Sequence, residues 1–255
     1  MPVTPQLRAH VAFVLATAGV VGLLVLTGCG RSATAPAASV GTATGSATAS
    51  AAVGGSSATT PSTQTNAQGE RLYTPAYVPN GHEIAIIKTS KGTIRVQLHG
   101  KDAPINTANF IELSRKGFYN GVRFHRLEPG FVLQGGDPQT KKLSKKRVIK
   151  LVGEQKRGVY AQGEPMLGTG GPGYVVKGEF DPNNIVHKHI DGTLAAARTD
   201  DPDSAGSQFY FALVALPELD GRYTVFGDTI KGLSVVHALG IGDVIDSITI
   251  QNMSK

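Results

Sequence analysis

Apolar and polar positions alternate along two short runs in the middle of the chain, residues 122–127 and 131–133, and a Glu-Pro-Gly turn separates them. Read as strands, this alternation places Phe124 and Arg126 on one face of the first run, and the two ends of the second run on one face. An unpaired guanidinium is costly inside an apolar core, but it suits the floor of an open groove. The pattern alone leaves two interpretations open, a groove residue or an arginine on a solvated strand face.

The same kind of pattern predicts further elements on both sides of these runs. Strands at 84–87 and 93–98 are joined by a turn sequence typical of a hairpin. A helix opens with Pro104 in its first turn and ends at Gly117, which takes the left-handed cap position. Further strands are predicted at 193–197, 209–214, 223–226 and 248–250, and a second helix at 233–239. Many short strands, two helices and frequent glycine turns predict an all-β barrel or sandwich.

The N-terminal residues predict export. An uncharged apolar run of sixteen residues, 11–26, is shorter than the roughly 20 residues of a bilayer-spanning helix and suits a signal peptide. It ends at Leu-Thr-Gly-Cys29, which is similar to the lipidation motif of bacterial lipoproteins, and Cys29 is the only cysteine of the chain. We therefore expect a lipoprotein signal peptide at 1–29 and a lipid anchor on Cys29, with an uncleaved membrane anchor as the alternative. Both interpretations place the rest of the chain outside the cytoplasm.

Residues 30–81 are predicted to form a disordered tether. Up to Gly69 they are mainly Ala, Ser, Thr and Gly, with Arg31 as the one charge before Glu70. Such a composition buries too little apolar surface to offset the entropy lost on ordering. A flexible coil of about 40 residues reaches on the order of 35 Å, so it would hold a domain at 82–255 off a membrane surface.

The formal net charge of +6 comes from one segment. Between Lys141 and Arg157 eight basic residues face one acid, Glu154, so this segment carries +7 and the remainder −1. One interpretation is a solvated surface loop or hairpin; the other is contact with anionic lipid head groups, cell-wall polymers or acidic client proteins. Stacking aromatic residues do not alternate with these charges, and an exported protein rarely meets nucleic acid, so we expect no nucleic-acid partner.

The motifs of hydrolases, nucleotide-binding proteins and metal sites are missing from the sequence. It has no GxSxG, no P-loop and no thiol within the domain. Glycines in the segment 168–173 match GxGxxG, but Pro172 and the residues after it form no helix that could hold a pyrophosphate. A glycine loop beside a groove is the better interpretation. His187 and His189 lack the spacing of two ligands on one helical face, so we predict no metal and no cofactor.

Three sequence blocks carry a resemblance to a known family. Residues 124–137 match FHRxxPGFxxQGGD, and two later blocks read AGSQFYF, 205–211, and LDGRYTVFG, 219–227. In this order they resemble the cyclophilin family of peptidyl-prolyl cis-trans isomerases. The likeness runs from about residue 83 to residue 252 and lapses over 139–166, which we treat as a basic insertion. The resemblance implies a closed eight-stranded barrel capped by two α-helices, with a packed interior and a substrate groove on its outside.

Prolyl isomerisation needs no nucleophile, because no bond is broken. Its barrier, about 18–20 kcal/mol for peptide rotation, is the amide resonance lost as the bond twists. The twisted nitrogen regains a lone pair, so a fixed N–H donor aimed at it stabilises the transition state more than either planar form. By the resemblance Arg126 is this donor, and Gln134 binds the substrate backbone or orients the guanidinium. Phe131 completes the catalytic set that the resemblance implies.

The resemblance also implies a pocket for the proline ring, although the aromatic and leucine positions alone would be interpreted as core packing. The substrate-binding residues that it implies are Val132, Ala197, Arg198, Gln208, Tyr210, Leu219 and Tyr223. Some positions depart from the best-known members of the family. Glu218 stands where they often have a tryptophan associated with tight cyclosporin binding, so we expect weak binding of that drug.

These observations lead to one principal hypothesis and two alternatives. The principal one is a monomeric, exported and membrane-tethered prolyl isomerase that acts on proline-containing polypeptides and assists the folding of exported proteins. The first alternative is a proline-segment binding module of the same fold with little catalytic turnover. The second is a scaffold that acts through the insertion at 139–166.

Overall fold

A computed structural model of the chain describes residues 64–252, and the predicted signal peptide, Cys29 and the tether up to residue 63 lie outside this range. Within it, short strands alternate with turns, as the sequence predicted. The strands are β1 (Glu83–Thr89), β2 (Gly92–Leu98), β3 (Arg126–Glu128), β4 (Val132–Gly135), β5 (Thr193–Ala196), β6 (Phe209–Ala212), β7 (Val225–Lys231) and β8 (Ile245–Asn252). The α-helices are α1 (Pro104–Arg115), α2 (Lys145–Lys156) and α3 (Leu233–Ala238). In residues 64–252 no helix has the length and apolar character needed to cross a bilayer.

The eight strands form one curled antiparallel sheet in the order β3-β4-β6-β5-β7-β2-β1-β8. Its two edges meet, because the segment before β3 pairs with the segment before β8. Four backbone hydrogen bonds of 2.7–3.0 Å connect residues 121–124 with residues 242–245. Closure removes the exposed strand edges of an open sheet. The prediction of an all-β closed sheet is therefore confirmed.

The two faces of the sheet carry two apolar clusters. Because side chains alternate along a strand, β4 and β6 contribute to both. On the inside, Leu133, Phe209 and Phe211 belong to the main core beneath α1. On the outside, Val132 and Tyr210 belong to a second, smaller cluster. This outer cluster is the foundation of the candidate site.

The alternation predicted for the two central runs is wrong at Phe124 and at Phe131. Phe124 lies in the inner core, whereas Arg126, which opens β3, is only half-buried and borders the outer cluster. Phe131 packs against the outer cluster, although Leu133 points into the inner core. Both phenylalanines precede the strands, and the period of two holds only where the backbone is extended. The groove interpretation of Arg126 stands nevertheless.

The insertion forms a helix that the sequence analysis expected to be a loop or hairpin, so the domain has three α-helices and not two. Ser144 caps α2 by accepting a hydrogen bond from the backbone N–H of Arg147 at 3.2 Å. Val148, Leu151 and Val152 form its buried face. Their spacing is helical, but the high density of lysine obscured the pattern.

The folded unit begins earlier than residue 82. Residues 64–81, which we call the strap, were assigned to the tether, yet they pack against the barrel. Glu112 on α1 holds the strap, since its carboxylate accepts hydrogen bonds from the Tyr73 hydroxyl at 2.6 Å and from two backbone N–H groups of the strap at 2.8 and 2.9 Å. Leu72 also forms a parallel bridge with Val175. Composition misled here because Tyr73 and Tyr77 supply apolar surface that the preceding Ala/Ser/Thr tract lacks.

Candidate active site

Arg126 and Gln134 lie opposite each other on β3 and β4, so their side chains share the outer face of the sheet. The Nη1 of Arg126 donates a hydrogen bond to Oε1 of Gln134 at 3.4 Å. The guanidinium carbon lies 5.8 Å from the ring centroid of Phe131, and Nε lies 3.8 Å from a carboxylate oxygen of Glu128. An amide, an aromatic ring and a carboxylate therefore hold the guanidinium from three sides.

The structure brings the predicted site residues together in one pocket on the outside of the barrel. Nine of the ten line it, namely Arg126, Phe131, Val132, Gln134, Ala197, Arg198, Tyr210, Leu219 and Tyr223. The residues at the floor, Val132, Tyr210 and Leu219, are buried, and the rings of Tyr210 and Tyr223 meet edge to face with centroids 6.0 Å apart. An apolar floor beside a charged donor is the result.

The tenth predicted residue, Gln208, does not line this pocket but lines a cavity that adjoins it. Its Oε1 accepts a hydrogen bond from Nε2 of Gln134 at 2.9 Å, and its own amide donates to the carbonyls of Gly168 and Gly170. This series of hydrogen bonds determines that the oxygen of the Gln134 amide faces Arg126. Gln208 therefore orients the Gln134 amide, and its place in the lining of the adjoining cavity leaves the predicted contact with a substrate a prediction.

The charge of Arg126 survives its partial burial. Burial lowers the pKa of the guanidinium, and the negative charge of Glu128 acts in the opposite direction. An arginine keeps its proton at neutral pH even so, because its ordinary pKa lies above 12. Burial also raises the pKa of Tyr210 well above its usual range, so this phenol stays neutral. The guanidinium of Arg126 thus stands beside an uncharged floor.

Arg198 is tied down in the wall of the pocket. Its guanidinium carbon lies 4.5 Å from the ring centroid of Tyr223, and Nη2 donates to the carbonyl of Arg222 at 2.8 Å. Nη1 donates to the carbonyl of Thr199 at 2.7 Å. Since its donors already bond to the backbone, this arginine supports Tyr223 and is less able to reach a substrate than the sequence suggested.

A second cavity adjoins the pocket, because Gln134, Ala197 and Arg198 line both. The glycine loop, residues 168–173, forms one wall of it, as expected for a loop beside a groove. The opposite wall includes strap residues Gln68, Glu70 and Arg71. Sequence analysis missed the strap residues, because nothing in a polar segment far from the motifs signals contact with the groove.

Buried histidines are the other feature that the sequence analysis missed. His125 precedes Arg126 and is buried; desolvation lowers its pKa to about 4, against a smaller opposing effect of Asp137. His189, counted among surface or structural histidines, lies between Asp220 and Tyr210. Histidine spacing carried no signal for either position, because burial and partners, such as those of His189 at 210 and 220, depend on how the chain folds.

One group of described residues outside the pocket has the side-chain types of a metal site. His99, His187 and Asp228 place their ligand atoms within 4.8 Å of one another. The two rings stack with centroids 3.8 Å apart and planes 5° from parallel. Because an imidazole nitrogen binds a metal in its ring plane, no single position suits both rings in this stack. Each ring instead pairs with a carboxylate at 2.9–3.0 Å.

Comparisons with known proteins agree with this geometry. The family model described as cyclophilin type peptidyl-prolyl cis-trans isomerase/CLD matches residues 84–254. A peptidyl-prolyl cis-trans isomerase of Helicobacter pylori is 40% identical over 166 residues, 64% of this chain and 84% of that protein. Peptidyl-prolyl cis-trans isomerase B of Bacillus subtilis is 35% identical over 158 residues, 62% of this chain and 90% of that protein.

A solved structure shows the same fold. It is the Cryptosporidium parvum cyclophilin type peptidyl-prolyl cis-trans isomerase, crystallised in the presence of the dipeptide Ala-Pro. The two structures align with a TM-score of 0.52 and 26% sequence identity, covering 67% of this chain and 99% of the other.

Proposed function

The chain belongs to the cyclophilin-type peptidyl-prolyl cis-trans isomerase family, and we propose that it catalyses rotation about Xaa-Pro bonds in the pocket around Arg126. The observation that carries this assignment is a guanidinium at the edge of an apolar pocket, which donates a hydrogen bond to Gln134 at 3.4 Å. The family membership establishes the isomerase activity. The roles of the individual residues are our proposal.

The pocket suits the chemistry of a twisting amide. The proline ring packs on Val132, Tyr210 and Leu219, which exclude water from it. The carbonyl before the proline stays free to rotate, and an N–H of Arg126 donates to the proline nitrogen as that nitrogen becomes pyramidal. This hydrogen bond is weak in the planar states, where the nitrogen lone pair is delocalised. It therefore stabilises the transition state more than the planar ground states, and the barrier falls.

The runner-up is a proline-binding module with little turnover. Glu218 and Val132 motivate it, because they differ from the residues often found in the family's best-known members. The arrangement of Arg126, Gln134 and Gln208 favours the enzyme. A module that only binds proline would gain nothing from two glutamine side chains that orient the guanidinium of Arg126.

The test is isomerisation of a short Xaa-Pro peptide by the full-length chain in mild detergent, compared with Arg126→Ala. We expect kcat/KM to fall by roughly 10²-fold, as for the loss of one preorganised donor to a transition state. Arg95→Ala, on β2 outside the pocket, is the matched control and should retain activity. A wild type without turnover that still binds the peptide would favour the binding module.

We also propose that the protein is an exported monomer anchored to a membrane through Cys29. The support is the apolar run at 11–26 and the motif ending at Cys29, both read from the sequence. A radiolabelled fatty acid should be incorporated into the wild type and not into Cys29→Ser. An unlabelled wild type in the soluble fraction would contradict the anchor, and a dimer in light scattering would contradict the monomer.

The exposed residues of α2 support the proposal that this helix binds an anionic surface. Lys146, Lys150 and Arg157 are exposed there around Ile149, whose side chain is 48% exposed. Basic side chains around an exposed apolar residue are typical of a segment that lies against anionic lipid head groups. Vesicles with anionic lipid should bind the wild type more tightly than Lys146→Glu/Lys150→Glu, with Lys88→Glu/Lys91→Glu as the control. Binding to an acidic polypeptide but not to vesicles would indicate an acidic client.

A further inference from the structure

A buried hydrogen-bonded chain lies directly beneath the pocket. The side chain of His189 has no exposed surface, and its Nδ1 lies 3.0 Å from Oδ1 of Asp220. Its Nε2 lies 2.9 Å from the hydroxyl of Tyr210, which is 4% exposed. Asp220, His189 and Tyr210 therefore connect in a line that ends at the ring forming the pocket floor.

The carboxylate of Asp220 determines which group donates in each hydrogen bond of this line. The same Oδ1 of Asp220 accepts the backbone N–H of His189 at 2.7 Å, so this oxygen acts as an acceptor. In neutral His189 the proton then lies on Nδ1, which leaves Nε2 as an acceptor. Burial lowers the pKa of His189, which favours this neutral form, while Asp220 acts in the opposite direction. The Tyr210 hydroxyl accordingly donates its proton to His189.

This direction determines what the pocket presents to a substrate. With its hydroxyl turned toward His189, Tyr210 offers only ring carbons to a proline ring. A hydroxyl without this acceptor would be buried and unpaired, or would have to turn toward the pocket and carry water with it. Either outcome weakens the binding of an apolar ring.

His189 also holds Leu219, another residue of the pocket floor. Leu219 lies in the short turn Pro217–Leu219, and the backbone N–H of Leu216, at the start of that turn, donates to the carbonyl of His189 at 2.9 Å. Asp220, which follows Leu219, bonds to both the backbone and the ring of His189. His189 thus fixes two of the three floor residues on which the proline ring would pack.

We propose that His189 is a positioning residue for the proline pocket, which holds the Tyr210 hydroxyl away from the substrate and anchors the Leu219 turn. The proposal rests on the proposed function of this pocket, since it assigns Tyr210 to the floor of the proline site. It predicts an effect on substrate binding through Tyr210. A histidine that only stabilises the core would change stability without a coupling to that hydroxyl.

The experiment is a double-mutant cycle on the full-length chain, using kcat and KM for a short Xaa-Pro peptide. The variants are His189→Leu, Tyr210→Phe and the two combined, with His189→Gln as a conservative variant that can still accept and donate. His237→Leu is the matched control, because His237 forms a histidine–aspartate pair with Asp191 at 2.9 Å on the exposed surface. Thermal unfolding of each variant separates binding effects from stability.

We expect His189→Leu to raise KM by about tenfold, the ratio that corresponds to one buried hydroxyl left without its partner, with kcat within about twofold. The effect falls on KM because the pocket floor holds the ring equally in ground and transition states. In the double variant neither polar group remains, so its KM should not exceed that of Tyr210→Phe. His189→Gln should recover most of the affinity, and His237→Leu should behave as the wild type.

Additive effects of the two substitutions would overturn the proposal, as would equal losses of kcat in all variants or an unchanged KM in His189→Leu. These outcomes leave the proposed function intact if the wild type turns over and Arg126→Ala does not. If the wild type shows no turnover, peptide affinity measured by calorimetry completes the same cycle. A wild type that binds no proline peptide would overturn both proposals.

Discussion

Acidification should destabilise the domain through His125, the buried neighbour of Arg126. Burial lowers the pKa of this imidazole from 6.5 to about 4, so the folded protein holds it neutral over a range in which the unfolded chain binds a proton. The unfolded state then binds more protons than the folded state, and stability rises with pH in this window. The stabilisation is fully present above pH 6.5 and is lost as the pH falls toward 4.

The size of the effect follows from the two pKa values. A difference of 2.5 between the ordinary value of 6.5 and about 4 in the fold corresponds to a limit of roughly 3 kcal/mol. By linkage, about 2 kcal/mol of the free energy of unfolding should be lost between pH 8 and pH 5, and about 3 kcal/mol by pH 4. This is a large fraction of the 5–15 kcal/mol typical of a domain.

The assay is urea unfolding of the wild type and His125→Gln at pH 8, 7, 6, 5 and 4. The variant removes the titrating group, so its free energy of unfolding should fall less steeply with acid, whatever its value at pH 8. His237→Gln, which replaces an exposed histidine, should retain the slope of the wild type. Comparing slopes isolates His125 from His189, whose pKa is also lowered by burial.

Carboxylates do not account for a loss of stability between pH 6.5 and 5. Several have pKa values lowered by hydrogen bonds in spite of burial, namely Glu83, Glu112, Asp228 and Asp243. Groups of this kind contribute stability above their ordinary pKa of about 4 and lose it only as the pH falls below that value. Parallel slopes for the wild type and His125→Gln between pH 6.5 and 5 would refute the reasoning.

Two further predictions concern the strap and the signature motif. Glu112→Ala should cost about 2 kcal/mol and raise the hydrogen-exchange rates of the strap amides, because three hydrogen bonds end on this carboxylate; amides that stay protected would contradict the clamp. Gly136→Ala should cost more than ~3 kcal/mol in urea unfolding, since φ is +92° and a Cβ would lie 2.3 Å from the carbonyl oxygen of Ser207. Gly130→Ala, at φ +69° with no atom within 4 Å, should cost only about 1 kcal/mol; equal costs would refute the steric argument.

Much of the local structure was predictable because it depends on neighbours in sequence. Pro104 at the start of α1 and Gly117 after its end, with φ at +65°, are local signals that need no tertiary contact. The same holds for the hairpin of β1 and β2. The pocket was predictable for a different reason, because the resemblance to the cyclophilin family implied nine residues that line it.

Predictions failed where a residue's environment depends on distant segments. Phe124 and Phe131 take opposite sides from those predicted, because each lies just outside a strand and its direction follows from how the strands pair. The strap is mostly polar and was assigned to the tether, yet Glu112 on α1 binds it. Hydrogen bonds from the strap backbone to one carboxylate on a distant helix leave no pattern in the sequence of the strap.

The sequence by itself determined the family, the positions of most strands and the presence of a charged donor beside an apolar pocket. Only the tertiary structure decided that Gln208 bonds to the Gln134 amide, that the insertion folds as a helix, and that His189 reaches Tyr210. The physical reason is that periodicity and turn chemistry act over a few residues. The partner of a buried polar group is instead chosen by the register of strands, and barrel closure sets that register across the whole chain.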